Sequence, residues 1–141
     1  MKRIIDLVQQ KNHYLEKFYA LNEGELLKFA QGDYDGIDVF YKTREDILAV
    51  IRYIDSETDK ANSQIPEDQV ATQEERESLR EQLLIKDEYV AHILKQDLQI
   101  LSCIEATKNS IIRELQEVRK HRKALGRYKT PSHAKRLDEE A

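Results

Sequence analysis

The chain has 141 residues, 35% of them charged and 7% aromatic, with Pro 2, Gly 4, Trp 0 and a formal net charge of -4. That length suits one domain with a small core, and the scarcity of turn residues favours long helices over a sheet. Mean hydropathy is -0.73, but the apolar residues are periodic, which argues against a disordered chain, and the acidic balance carries no general affinity for nucleic acid.

Met1-Lys2-Arg3-Ile4-Ile5-Asp6 opens with basic residues, but acid follows at once, so no signal peptide is expected. The spacing predicts a first helix over residues 2–31, with the stripe Ile4, Leu7, Val8, Tyr14, Leu15, Phe18, Leu21, Leu26 and Phe29. Gly32 is placed to supply the left-handed residue that ends a helix, and Asp33 to cap the next one. Asp35 and Asp38 suit the positive end of that helix. A second helix is predicted over residues 34–61, with the seam Ile37, Phe40, Arg44, Ile47, Ile51, Ile54 and Thr58, widened by Tyr41 and Leu48. So short a break implies an antiparallel hairpin.

Residues 62–71 read as a polar connector, because Pro66 cannot sit in a helix interior and Asn62, Ser63 and Asp68 favour turns. Thr72-Gln73-Glu74-Glu75 then fits a capping box. A third helix is predicted over residues 73–128. Its stripe is Leu79, Leu83, Lys86, Val90, Ile93, Asp97, Ile100, Ile104, Thr107, Ile111, Glu114, Val118, His121, Leu125 and Tyr128. That is about seven heptads, the pattern of a helix packing lengthwise on others. Residues 129–141 hold Pro131 and mixed charge without period, and read as a flexible tail.

The expected fold is an all-α, antiparallel three-helix bundle with an extended third helix, in a single domain over residues 1–128. At 1.5 Å per residue the first two helices are each about 45 Å long and the third about 80 Å. The third should therefore pass the Gly32 turn near residues 98–102. Its second half still carries Ile100, Leu101, Ile104, Ile111, Ile112, Leu115, Val118 and Leu125. Exposed apolar surface of that size calls for a cover. The helix could kink near Ser102, Cys103, Thr107, Asn109 and Ser110 and fold back, pair with a second copy, or hold a client protein.

Single residues read mostly as structure. Arg44 is expected to snorkel and pair with a carboxylate, such as one from the third helix. Asp97 and Lys86 are seam polar residues that either set register or mark an irregularity. Cys103, the only cysteine, excludes an internal disulfide and reads as a buried structural residue, which suits a reducing cytoplasm. His13, His92, His121 and His133 show no metal spacing; Glu88 and His92 share a helix face without the Glu-x-x-His signature of a di-iron bundle. The seven tyrosines read as core or rim residues. Residues 113–129 carry Arg113, Arg119, Lys120, Arg122, Lys123, Arg127 and Lys129 against Glu114 and Glu117. This is either favourable charge at a helix end or a docking patch for an acidic partner. Nucleic acid or a membrane surface is disfavoured, because aromatic interleaving and a groove-binding motif are missing. No apolar run approaches the roughly 20 residues of a membrane span. No nucleophile-base pair, phosphate loop or paired-carboxylate cleft is visible, so an enzyme is not expected, and neither is a cofactor.

Three elements carry a resemblance: the break Gln31-Gly32-Asp33 between amphipathic helices, the run Tyr41-Lys42-Thr43-Arg44-Glu45-Asp46-Ile47-Leu48 with its Arg-Glu pair, and the basic stretch from Leu115 to Tyr128. Over residues 10 to 128 the chain resembles the FlgN-like export chaperones of the bacterial flagellum, a group that overlaps the FliT-like chaperones. The resemblance implies a cytoplasmic, non-enzymatic chaperone of type III export. Such a protein binds terminal helical segments of hook-filament junction or cap proteins, prevents their premature assembly and delivers them to the export gate. Helix-in-groove recognition is the physical mode. The expected client-binding residues are Ile100, Leu101, Ile104, Ile111, Ile112, Leu115, Val118 and Leu125. Arg119, Arg122, Lys123 and Tyr128 are the expected gate-docking residues, with Tyr128 at the helix end rather than in the tail. Apart from the resemblance, pairing of the uncovered helix half with a second copy would make a homodimer. The competing readings are a homo-oligomeric coiled-coil scaffold without a client and, more weakly, a nucleic-acid-binding regulator.

Overall fold

A computed structural model describes residues 1–126. The tail over 129–141 and the last two residues of the expected third helix, Arg127 and Tyr128, lie outside them. The described chain is all-helical: α1 spans Lys2–Ala30, α2 spans Ile37–Ser63 and α3 spans Gln73–Gly126. Helix accounts for 87% of the structure and the helices pack on one another as a three-helix bundle. By internal contacts the chain divides into two units, Met1–Ile100 and Leu101–Ala141.

In the first unit the helix directions follow from which side chains meet. Lys11 pairs with Asp55 at 2.7 Å, and Phe29 sets its ring against Phe40 at 6.5 Å, so α1 and α2 are antiparallel. Asn12 bonds Gln82 and Asn22 bonds Gln96, both numbers rising together, so α3 runs parallel to α1. The centre of the core is Leu15, Phe18, Ile51 and Ile93, with Tyr14, Tyr19, Ile47, Leu48 and Tyr89 packed around it. Ile4, Leu7, Val8, Phe29, Phe40 and Ile54 continue the buried face, as their spacing implied, and Ile100, expected on the client-binding face, joins them. Each such side chain contributes roughly 1.5–3 kcal/mol by leaving water.

α1 ends as the sequence implies. Gly32 takes φ +75, and the N–H groups of Asp33 and Gly32 donate to the carbonyls of Lys28 (2.9 Å) and Phe29 (3.0 Å), closing both loops of a Schellman motif. The next helix does not start where expected. Asp33 does not cap α2; its carboxylate accepts from the Asp35 N–H at 3.1 Å in a local turn. Tyr34 stacks on Phe29 with centroids 4.5 Å apart. That hydrogen bond and that ring contact accompany a turn over residues 33–36, so α2 starts at Ile37 and runs on to Ser63, where the Ser63 hydroxyl donates to the Lys60 carbonyl.

The capping box forms in full. The Glu75 N–H donates to the Thr72 hydroxyl at 3.1 Å, and the Thr72 N–H donates to the Glu75 carboxylate at 3.0 Å. The Thr72 backbone N–H first, and its hydroxyl second, hold the Glu75 carboxyl below its ordinary value. Its contribution is therefore complete above the ordinary carboxylate range and is lost as the pH falls through the lowered folded value. Thr72→Ala is expected to cost about 1 kcal/mol in urea unfolding. Glu75→Gln should be nearly neutral at pH 7, since an amide oxygen also accepts, and should erase this part of the acid sensitivity.

Candidate functional site

α3 keeps a helical backbone through residues 102–110, one of the expected places for a kink. Of the eight residues expected to contact a client, Ile100 belongs to the first unit and is only 2% exposed, so it serves the core. The other seven belong to the second unit. Leu101, Ile111, Ile112, Leu115, Val118 and Leu125 are between 42% and 55% exposed, and Ile104 is half-buried. No residue of the described segment Leu101–Gly126 is buried.

These residues share a face because of their spacing. Leu101, Ile104, Ile111, Leu115, Val118 and Leu125 fall on one 3-4 repeat, whose two missing members are Lys108 and Arg122. Both missing members are exposed and basic. Arg119 and Lys123 flank the same stripe, one helical turn apart, and are exposed as well. The second unit therefore presents an apolar strip interrupted and bordered by cations. A helix of complementary pattern could bury the strip and offer carboxylates to Lys108 and Arg122, which is chemistry for recognition rather than reaction. Among the expected gate-docking residues, Arg119, Arg122 and Lys123 are exposed and Tyr128 falls outside the described residues.

Other residues singled out by the sequence resolve into structure. Arg44 donates to the Asp97 carboxylate at 3.0 Å, and its guanidinium lies 4.8 Å from the Phe18 ring centroid and 5.4 Å from that of Phe40. Asp97 is thus the expected carboxylate from the third helix. Lys86 pairs with its own neighbour Asp87 at 3.1 Å. Cys103, expected to be buried, is half-buried on the second unit. His92 meets the edge of the Tyr19 ring at 6.0 Å. Among the described residues, no group of three or more His, Cys, Asp or Glu is placed to hold a metal ion. No described helix is long and apolar enough to cross a membrane.

The sequence reading missed a buried polar seam between α1 and α3. Asn12, Asn22, Glu25 and Gln96 are all buried, Asn22 completely. The Asn22 amide donates to the Gln96 side-chain oxygen at 3.1 Å, while the Gln96 amide donates to the Tyr19 carbonyl and to the Glu23 carboxylate. The side-chain oxygens Asn12 Oδ1, Asn22 Oδ1 and Glu25 Oε1 meet no hydrogen-bond donor among the described residues. Compared with known proteins, the chain matches no family model, no curated protein and no solved structure.

Proposed function

We propose that this chain is a helix-binding chaperone, and that the exposed strip on Leu101–Gly126 is where its client docks. The observation that carries the reading is a regular apolar repeat left open to solvent on a chain that is 35% charged. Monomers rarely leave such a strip bare without a partner for it. The client is an amphipathic helical segment whose apolar face meets Leu101, Ile111, Leu115 and Val118, and whose acidic residues meet Lys108, Arg119 and Arg122. The resemblance to FlgN-like proteins supplies the class of client: terminal helices of flagellar hook-filament junction or cap proteins, held in the cytoplasm and passed to the export gate. A client helix that would otherwise self-associate is kept apart because its apolar face is already covered. No catalytic step is needed.

Ile104→Asp with Ile111→Asp is expected to weaken binding of such a segment on the order of 100-fold or more, because each aspartate brings an unpaired charge into the contact. Titration calorimetry reads the affinity, and circular dichroism should return an unchanged helical signal. Undiminished affinity in the double variant would remove the strip from the binding site.

A further inference from the structure

We propose that in the chain by itself the strip on Leu101–Gly126 is covered by α3 of a second copy, running antiparallel. This inference stands apart from the chaperone reading. α3 has a second exposed repeat, within the first unit: Glu77, Arg80, Leu84, Asp87, Ala91, Leu94 and Leu98, every one exposed. Leu79, Leu83 and Leu84, with Arg76, Arg80 and Asp87, line a shallow groove there of about 360 Å³. Ala91 lets another backbone approach closely.

Charge selects the occupant and its direction. Residues 74–88 carry Glu74, Glu75, Glu77, Glu81, Asp87 and Glu88 against Arg76, Arg80 and Lys86. Residues 113–123 carry Arg113, Arg119, Lys120, Arg122 and Lys123 against Glu114 and Glu117. One end of α3 is acidic and the other basic. A parallel pair would set like charge on like, whereas an antiparallel pair opposes the two signs. One register satisfies both patterns. Placing Leu101 of one copy against Leu98 of the other also sets Leu115 against Leu84 and Arg122 against Glu77. Glu77 of one copy then answers Arg122 of the other, and Leu98 and Leu84 cover Leu101 and Leu115.

The test uses two charge variants of the full chain, Arg119→Glu/Arg122→Glu/Lys123→Glu and Glu77→Lys/Glu81→Lys/Glu88→Lys, in sedimentation equilibrium. All six residues are exposed, and circular dichroism should show each variant as helical as the parent. The parent is expected to be a dimer, each variant alone a monomer, and their mixture a dimer again, because the swapped signs match only across the two. Leu98→Asp gives a second route: its exposed side chain should leave helicity intact and yield a monomer. A monomeric parent, a charge variant that dimerises as the parent does, a mixture of two helical variants that stays monomeric, or a dimeric Leu98→Asp would each overturn the proposal.

Discussion

Arg44→Ala is expected to destabilise the first unit by about 3 kcal/mol, a large part of the 5–15 kcal/mol that holds an ordinary domain. Arg44 sits in the apolar seam of α2, its side chain 15% exposed, yet it touches all three helices. Its guanidinium lies over Phe18 of α1 and over Phe40 and Tyr41 of α2, and bonds Asp97 of α3. Truncation removes a cation from three ring faces, opens a void beside two buried phenylalanines and unties α3. The stack should outweigh the ion pair, because the Asp97 side chain is 39% exposed and water can replace its partner. Asp97→Asn is therefore expected to cost only about 1 kcal/mol. Arg44→Met should fall between, since it refills the volume without the charge. Urea unfolding of the three variants gives the order. Equal losses for Arg44→Ala and Asp97→Asn would place the energy in the ion pair instead.

The buried seam between α1 and α3 should respond in the opposite manner to paired replacement. Gln96→Leu strands the Asn22 amide in a fully buried site, where that side chain's oxygen meets no donor among the described residues. The expected loss is about 2–3 kcal/mol. Asn22→Leu added to it removes the stranded group, and the double variant should return to within about 1 kcal/mol of the parent. Its thermal unfolding should be the readout, since the two changes couple through one contact. Additive losses would mean that the seam stabilises through packing rather than through polar satisfaction. The seam also sets register: an Asn-Gln pair in an apolar interface fixes which turn of α3 lies against which turn of α1, at some cost in stability.

The three helices were legible because their apolar residues recur at 3 and 4, and the two breaks because Gly32 and the Thr72–Glu75 box leave physical marks in the sequence. The start of α2 was not, since Asp33 suits a helix cap and a local turn equally well, and a contact between Phe29 and Tyr34 accompanies the turn. The polar seam was missed for a different reason. Phe18, Asn22, Glu25 and Phe29 hold the 4-3-4 spacing of a buried stripe, but their polarity sent the reading to Leu21 and Leu26, which are half-buried. On α3, Gln96 and Asp97 both fit between Ile93 and Ile100 by spacing, and only the structure distinguishes the buried amide from the carboxylate at the rim. In the candidate site, helix lengths anticipated an exposed second half of α3, while the burial of Ile100 depends on where the core ends, which periodicity does not mark.

The proposed function requires the strip of Leu101–Gly126 to take a foreign amphipathic helix. The direct measurement is light scattering after gel filtration, on the full chain alone and then with the terminal helical segments of hook-filament junction and cap proteins from the same organism. The expected result is a discrete mixed complex with one of these segments, absent when Ile104→Asp/Ile111→Asp replaces the parent. A chain whose mass is unchanged by every such segment, or a complex that the double variant forms equally well, would contradict it.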